Sequence, residues 1–547
     1  MLLITSGAYV ESELAAEFGR IPPAFLPVGN RRLYTYQVTQ FGRAHERVCL
    51  TLPVDFQLDE ADALWLREHG VEVLRTVPGA PLGAAVRAIL DMAGGAGMAG
   101  PLDLLYGDTL IADPLREGSD WLAVGHTDEY YDWYQAAPRA GQPGGTWTGL
   151  FSFSDALLLR DQLEGNDDFI DGVNAYDREI GGMTHWPVAR WLDFGHVHTY
   201  FDSKRVMTTQ RHFNQLHVAD GVVTKSGSDS AKILAEASWF EQAPARIKPF
   251  LAPYICRTNG SHGDGDTENG NSGGDGTGHG TDCGYQLEYL HLAALNELYV
   301  FGRLPERVWR RIFRACDAYL RTASSLPSAP LEPDAIRQTY LDKTLQRLEA
   351  YAVQADVDLD TPWTLNHRPA PPLRVIAQEA AEALLAAPAV PAFLHGDFCF
   401  SNILFDFRAG RVKMVDPRGT DALGRPSRFG DLRYDLAKLA HSVLGLYDFI
   451  IAGFYLLRRE GQALDFRVLA KRCLPVQRLF AATPLAGRLP VEWQCHPGMV
   501  LLFLSMLPLH ADDPRRQQAL MANGIRLYLE WTSDDRDPDG GPEPALS

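Results

Sequence analysis

Three oxygen-bearing side chains in one short stretch set the chemistry to look for. In Phe393-Leu-His-Gly-Asp-Phe-Cys-Phe-Ser-Asn-Ile-Leu-Phe405, Asp397 and Asn402 lie five residues apart. Asp416 follows at the end of the apolar run Val412-Lys-Met-Val. A carboxylate beside an acceptor hydroxyl can orient it and take its proton, and hard oxygen donors hold Mg²⁺ against phosphates. One base and two metal ligands in a hairpin-sized unit is the set that phosphoryl transfer from ATP requires.

The chain around this unit has 547 residues, enough for three or four folding units. Its 46% hydrophobic and 22% charged content is that of a soluble globular protein with more than one core. Lys plus Arg is 51 against 69 for Asp plus Glu, a formal charge of −18. So acidic a chain is a poor nonspecific binder of nucleic acid. An anionic ligand must meet a local basic cluster or a metal ion. Seven scattered cysteines, none at CxxC spacing, indicate neither a zinc site nor a disulfide framework, and a reducing cytoplasm is expected. The start MLLITSGAYVESE has no basic region before its apolar run, so no signal peptide is expected. The longest apolar stretches, Val500–Leu504 and Leu444–Leu457, fall short of the roughly 20 apolar residues of a membrane span, and the second carries Asp448. Both read as buried helices.

The elements that must position the unit follow from periodicity. Strand-like runs at Leu2–Thr5, Val48–Leu52 and Leu102–Tyr106 alternate with amphipathic stretches such as Asp59–His69 and Leu82–Met92, a pattern for an α/β sheet binding ligands at its strands' carboxyl ends. Composition shifts near residue 205. Short β-like runs, Phe213–Val218 and Gly221–Lys225, precede a helical stretch, Ser230–Gln242. Thr258–Gly284 is Gly, Asp, Asn, Ser, Thr and His with almost nothing apolar, and is expected to be a disordered loop. Its Gly-Gly-Asp-Gly-Thr-Gly string is a single copy, which favours a linker over a calcium β-roll. Helical periodicity marks Tyr285–Tyr299, Glu306–Ser324, Pro333–Ala355 and Pro372–Ala386, and helices resume after 419 to about 532. The tail 533–547 is polar.

His395-Gly-Asp-x-x-x-x-Asn402 with a strand-terminal Asp416 closely resembles the catalytic and metal-binding segments of the aminoglycoside phosphotransferase/choline kinase family, which has a protein-kinase-like fold. The resemblance implies Asp397 as catalytic base, Asn402 and Asp416 as Mg²⁺ ligands, and His395 as a brace for the loop. Pro-Arg-Gly follows Asp416 where protein kinases carry Phe-Gly, which points to a small-molecule kinase. Asp431 and Asp435, in Gly430-Asp-Leu-Arg-Tyr-Asp-Leu-Ala-Lys438, resemble the family's helix start after the metal loop; acidic residues there also cap a helix, a structural role weighed above a catalytic one. Arg418 suits a phosphate, an acidic substrate or an ordinary surface pair. Lys225 ends a strand and Glu236 follows on a helix, which looks like the family's pair for the α/β-phosphates, with Lys232 as rival. Glu288 and Tyr289 resemble the strand between the lobes whose backbone meets adenine; alternatively they begin a helix. No G-x-G-x-x-G loop precedes Lys225; 211–216 takes its place.

The first third is similar to sugar-nucleotide nucleotidyltransferases in Leu2-Leu-Ile-Thr-Ser-Gly7, Ile21-Pro-Pro-Ala-Phe-Leu-Pro-Val28, Tyr106-Gly-Asp-Thr-Leu110 and Trp191-Leu-Asp-Phe-Gly195. Asp108 and Asp193 are then the metal ligands against nucleotide phosphates. The Gly-x-Gly-x-Arg turn is missing, and the activating lysine's place falls on Pro22 or Pro23, leaving Arg20, Arg31 or Arg32 as substitutes.

The whole resembles fused nucleotidyltransferase-like/phosphotransferase proteins of capsule and surface-polysaccharide synthesis. The expected fold is an α/β, Rossmann-like domain over 1–205, followed by a protein-kinase-like α+β two-lobe domain. Its N-lobe is placed at 206–257 and its mostly helical C-lobe at 285–532, with the catalytic loop at 393–419. The expected function is an ATP- and Mg²⁺-dependent kinase of a small hydroxyl compound such as a sugar, amino sugar or amino alcohol. Other polysaccharide enzymes are possible partners. The alternatives are a bifunctional kinase/nucleotidyltransferase and a nucleotide-binding scaffold without turnover. An acidic substrate cleft would favour cationic aminoglycosides instead.

Overall fold

The computed structural model describes residues 1–547 except 94–99, 128, 130–132, 139–140, 166–167, 209, 212–213, 259–282 and 535–547. The stretch 258–284 expected to be disordered lies outside the described residues but for Thr258, Cys283 and Gly284, as does the tail beyond Asp534. The chain forms two compact units, Met1–Thr208 with Glu297–Leu304, and Thr209–Asn296 with Pro305–Ser547.

The first unit is built on one mixed sheet. Parallel strands Val71–Thr76, Val48–Pro53, Leu2–Thr5 and Leu102–Tyr106 lie side by side in that order. Gly145–Phe153 continues it antiparallel, then Trp121–Gly125 and Thr184–Pro187. Val48–Pro53 is buried at every position, as a parallel strand covered on both faces must be. The strand order reverses between Leu2–Thr5 and Leu102–Tyr106, the place where open α/β sheets leave a crevice at their carboxyl ends. Asp108 lies two residues past that end of Leu102–Tyr106.

The second unit starts with an antiparallel sheet ordered Gln210–Arg211, Asn214–Ala219, Val222–Gly227, Gly284–Glu288, Tyr254–Thr258, with the helix Ser230–Glu241 packed on it. Its register sets Lys225 opposite Tyr285. Gly284–Glu288 is a strand, and the helix that follows spans only Leu295–Val300, which corrects the helical reading of Tyr285–Tyr299. Periodicity misled there because Tyr285 and Leu287 are buried with period two.

The remainder is helical around a hairpin, Ile403–Asp406 with Arg411–Met414. Helix Glu306–Ser324 buries Trp309, Ile312, Phe313, Cys316, Tyr319, Leu320 and Ala323 on one stripe. Each large apolar side chain so buried contributes about 1.5–3 kcal/mol. Cys495–Met506 is buried all round and is the central helix, against which Leu432–Val443, Leu373–Leu385 and Pro514–Asp534 pack. Val500–Leu504 is therefore a buried helix, as expected. Leu444–Leu457 is not: it breaks into the short helix Tyr447–Ile451 and a strand, Tyr455–Glu460. Gly453 at φ +80 makes the turn between them. That strand pairs with Ala463–Val468, whose strict buried/exposed alternation is the signal that interrupts the expected helical run. Among the described residues no helix is long and apolar enough to cross a membrane.

Candidate active site

Asp397 lies on the loop after the strand Pro391–Phe393. Its carboxylate accepts hydrogen bonds from Asn402 Nδ2 at 2.8 Å and from Lys438 Nζ at 2.8 Å. Burial works to raise its pKa, but the Lys438 charge and hydrogen bond outweigh burial and hold it at about 2. Asp397 is thus ionised throughout the neutral range while its side chain stays 38% exposed to an incoming group.

The loop is fixed from both sides. Asp435 accepts the backbone N–H of His395 and of Gly396, each at 2.8 Å. His395 places Nε2 at 3.0 Å from the Val415 carbonyl, while Nδ1 accepts the Asp397 N–H at 3.3 Å. Burial lowers the His395 imidazole to about 4, so it is neutral and has one N–H for Val415 and one lone pair for Asp397. His395 therefore ties the Asp397 loop to the strand end that carries Asp416. Asp431 caps the helix Leu432–Val443 through the Arg433 N–H and pairs with the Arg433 guanidinium at 2.6 Å, a structural task.

Asp416 sits at φ +54, a strained conformation that Asp tolerates better than most residues and that recurs at functional sites. Its Oδ1 is 3.1 Å from Lys225 Nζ, which also reaches Glu236 Oε2 at 2.6 Å. Tyr285 OH donates to the same Glu236 oxygen at 3.0 Å. Burial opposes the Lys225 charge, but the two carboxylates overcome it and keep the ammonium protonated. The rival Lys232 is 4.0 Å from Glu236 and 53% exposed, a rim pair. Asn402 spends its side-chain N–H₂ on Asp397, which turns Oδ1 away from that carboxylate, while the Val415 N–H bonds the main-chain carbonyl of Asn402 at 3.0 Å. Asn402 Oδ1 and the 41%-exposed Asp416 carboxylate are hard oxygen donors of the kind Mg²⁺ takes, so the residues fit that ion. Glu288 and Tyr289 end the strand beside Lys225's own, and their backbone N–H groups are already donated to the Pro253 and Gly221 carbonyls at 2.9 and 2.7 Å.

Lys438 was not singled out by sequence reasoning. The available signal was its spacing: it lies three residues after Asp435, on the same face of the helix that braces the loop.

The first unit holds a second candidate site. Thr109 and Asp193 face each other across the antiparallel strands Thr109–Ile111 and Trp191–Asp193, which brings Asp108 beside Asp193. They line a cleft of about 240 Å³ with Tyr9, Trp133, Trp147, Trp191 and His196, an aromatic wall the sequence reading did not name. Burial and then the Asp193 charge push the Asp108 carboxyl well above the usual range. His196 Nδ1 lies 3.1 Å from Asp193, and Thr199 OH donates to it. A Cβ on Gly195 would lie 2.9 Å from Asp108 Oδ2 and 3.4 Å from Asp193 Oδ1. Two like charges across a cradle that only glycine leaves open suit a divalent cation. The structure removes Arg32 as a stand-in for the missing lysine: it is buried, bidentate to Asp62, and donates to the Phe25 and Phe301 carbonyls. Arg20 pairs with Asp55 at 3.2 Å and stacks on Tyr9.

Residues 275–453 match the model of the Phosphotransferase enzyme family, APH, which takes in Asp397, Asn402, Asp416 and Lys438. No curated protein matches the sequence. Among solved structures, the chain is similar to a nucleoside-diphosphate-sugar pyrophosphorylase from Vibrio cholerae RC9, at 17% identity over 38% of this chain and 100% of that one, TM-score 0.31. It is similar to an aminoglycoside-3'-phosphotransferase of type VIII, at 15% identity over 55% and 97%, TM-score 0.27. A choline kinase from Cryptosporidium parvum Iowa II is similar at 11% identity over 60% and 88%, TM-score 0.31. The layout is the one expected, an α/β unit on a mixed, partly parallel sheet followed by an α+β unit, and the family model matches largely within the second.

Proposed function

We propose that this protein transfers the γ-phosphoryl group of ATP to the hydroxyl of a small molecule such as a sugar, amino sugar or amino alcohol. The observation that carries the reading is the meeting of Lys225 and Asp416, 191 residues apart in sequence, beside a loop that presents an ionised Asp397. Asp397 orients the acceptor hydroxyl and accepts its proton, while Lys438 and Asn402 fix the carboxylate's direction. Lys225, steadied by Glu236, leaves Asp416 for the α/β-phosphates. Asn402 and Asp416 would hold Mg²⁺, which when bound neutralises charge on the transferring phosphoryl group. A screen of ADP release against sugars, amino sugars and amino alcohols tests this. An acceptor-dependent rate lost in Asp397→Ala by about 10³-fold supports it; turnover untouched by that substitution refutes the base.

A second reading, a bifunctional enzyme making a nucleotide-activated precursor in sugar-nucleotide or surface-polysaccharide metabolism, is favoured by the approach of Asp108 and Asp193 across Gly195. It requires pyrophosphate release from CTP or UTP that disappears in Asp108→Ala.

A further inference from the structure

Next to the proposed kinase site gather three cations that make no ion pair with a carboxylate among the described residues. Lys343 begins the helix Lys343–Ala355, directly after a π-helical turn at Gln338–Asp342. Such turns are rare and frequently mark functional sites. Lys343 is only 8% exposed, and its Nζ reaches the Tyr434 hydroxyl at 3.4 Å. Arg347, one turn on, donates to the Ser505 carbonyl at 3.0 Å. Arg418 donates to the Asp421 carbonyl at 3.0 Å and lies 5.8 Å above the Tyr434 ring. All three of these acceptors are uncharged groups. A buried ammonium ordinarily has a carboxylate beside it, because desolvation is costly otherwise.

The electrostatics follow from that crowding. Burial, joined by the charges of Arg418 and Arg347, pulls the Lys343 ammonium down to about 8. Burial works to raise the Tyr434 phenol, yet Lys343, Arg418 and Lys438 draw it down to about 7. The Tyr434 phenol thus lies among these cations and interacts with Lys343 and Arg418. The small cavity lined by Lys343, Thr339, Tyr340 and Ser505 measures about 10 Å³, room for no more than one water, and is not itself the seat of an anion.

The cluster borders the reacting centre. Tyr434 and Lys438 are one turn apart on the helix Leu432–Val443, and Lys438 holds Asp397. Arg418 packs its stem on the adjoining loop residue: a Cβ on Gly396, which stands at φ +79, would lie 2.7 Å from the Arg418 Cβ. This is the opposite of the acidic cleft a cationic aminoglycoside would want.

We infer that the acceptor carries an anionic group, a carboxylate or a phosphate monoester, which seats on Lys343, Arg347 and Arg418 beside Tyr434 while its hydroxyl faces Asp397. The inference rests on the kinase reading above and narrows its substrate class. Carboxylate and phosphate are told apart by using both.

The test measures ADP release by the full chain with glucose, glucosamine, glucuronate and glucose 1-phosphate, in wild type, Lys343→Met and Asp397→Ala. The expected result is kcat/KM at least about tenfold higher for one of the two anions than for glucose or glucosamine. Lys343→Met should raise KM for that anion roughly 10- to 100-fold, with kcat and the KM for ATP little changed. Because Lys343 is a buried cation without a carboxylate, the methionine variant should melt no lower than wild type, so a loss of binding is not a loss of fold. Asp397-dependent turnover of glucose or glucosamine at equal or better efficiency overturns the inference and leaves the kinase reading standing. A rise in the KM for ATP instead assigns the cluster to the nucleotide and also overturns it. Should none of the four be turned over, thermal shift with inorganic phosphate decides. Stabilisation of wild type but not of Lys343→Met keeps the anion site and counts against the kinase reading; no stabilisation sinks the anion site.

Discussion

The two candidate sites treat their carboxylates in opposite ways. In the first unit Asp108 faces Asp193, and burial plus like charge push its proton affinity up. In the second unit Asp397 faces Lys438, and its proton affinity falls to about 2 despite burial. The first arrangement sets two carboxylates against each other, which under the proposed reading a divalent cation would offset. The second pairs its carboxylate with a cation of its own and keeps it ionised, as the proposed base requires. The same residue type thus has its proton affinity moved in opposite directions by the charge that stands beside it.

The comparison can be broken most severely at Asp435. Asp435→Ala leaves the buried N–H groups of His395 and Gly396 without an acceptor, at about 2–4 kcal/mol of stability in denaturant titration. Activity should fall with it through the displaced Asp397 loop. Asparagine at the same position should recover part of both.

The next effect belongs to Asp108. Its folded pKa is above the unfolded value, so the folded state binds the extra proton and stability falls as pH rises from about 4 through neutrality. The size is at most about 4 kcal/mol. Thermal unfolding of the full chain should show Mg²⁺ or Mn²⁺ stabilising more at about pH 8 than at about pH 5. Asp108→Asn should be less pH-sensitive and indifferent to the metal.

Lys438→Met makes the second site resemble the first. It should cost about 1–2 kcal/mol, the open side of Asp397 screening part of the loss. Without the ammonium the Asp397 pKa rises, so the kcat/KM profile should gain an acid limb additional to any in the wild type. The smallest effect is at Lys232, whose replacement by alanine should change stability by less than about 0.5 kcal/mol and leave ADP release alone. Lys225→Ala should not behave so mildly.

What the sequence disclosed tracks how local each feature is. Asp397, Asn402 and Asp416 flank one hairpin in a single short stretch, so their types and order were readable without a fold. Lys225 and Glu236 needed only a strand followed by a helix. Lys438 was unread because its partner lies on another element: its spacing from Asp435 marks a shared helix face but not the ion pair that packing makes. Arg32 shows the converse: a charge beside the right motif proved to be a buried strut on Asp62. The cluster of Lys343, Arg347 and Arg418 was out of reach for the same reason, since packing brings a helix and a distant loop together. Among secondary elements the errors fell on Tyr285–Tyr299 and Leu444–Leu457, apolar runs whose period is ambiguous over so few residues. Leu2–Thr5, Leu102–Tyr106 and Glu306–Ser324 were fully legible because each is bounded by polar residues or turns and carries one clear period.

The most direct check of the central claim is phosphorus NMR of the full chain with ATP, Mg²⁺ and an acceptor found by the ADP screen. The account predicts a new phosphate monoester accumulating one for one with ADP in wild type, and none with Asp397→Asn. Free inorganic phosphate as the sole product, or monoester formed undiminished by Asp397→Asn, would contradict it.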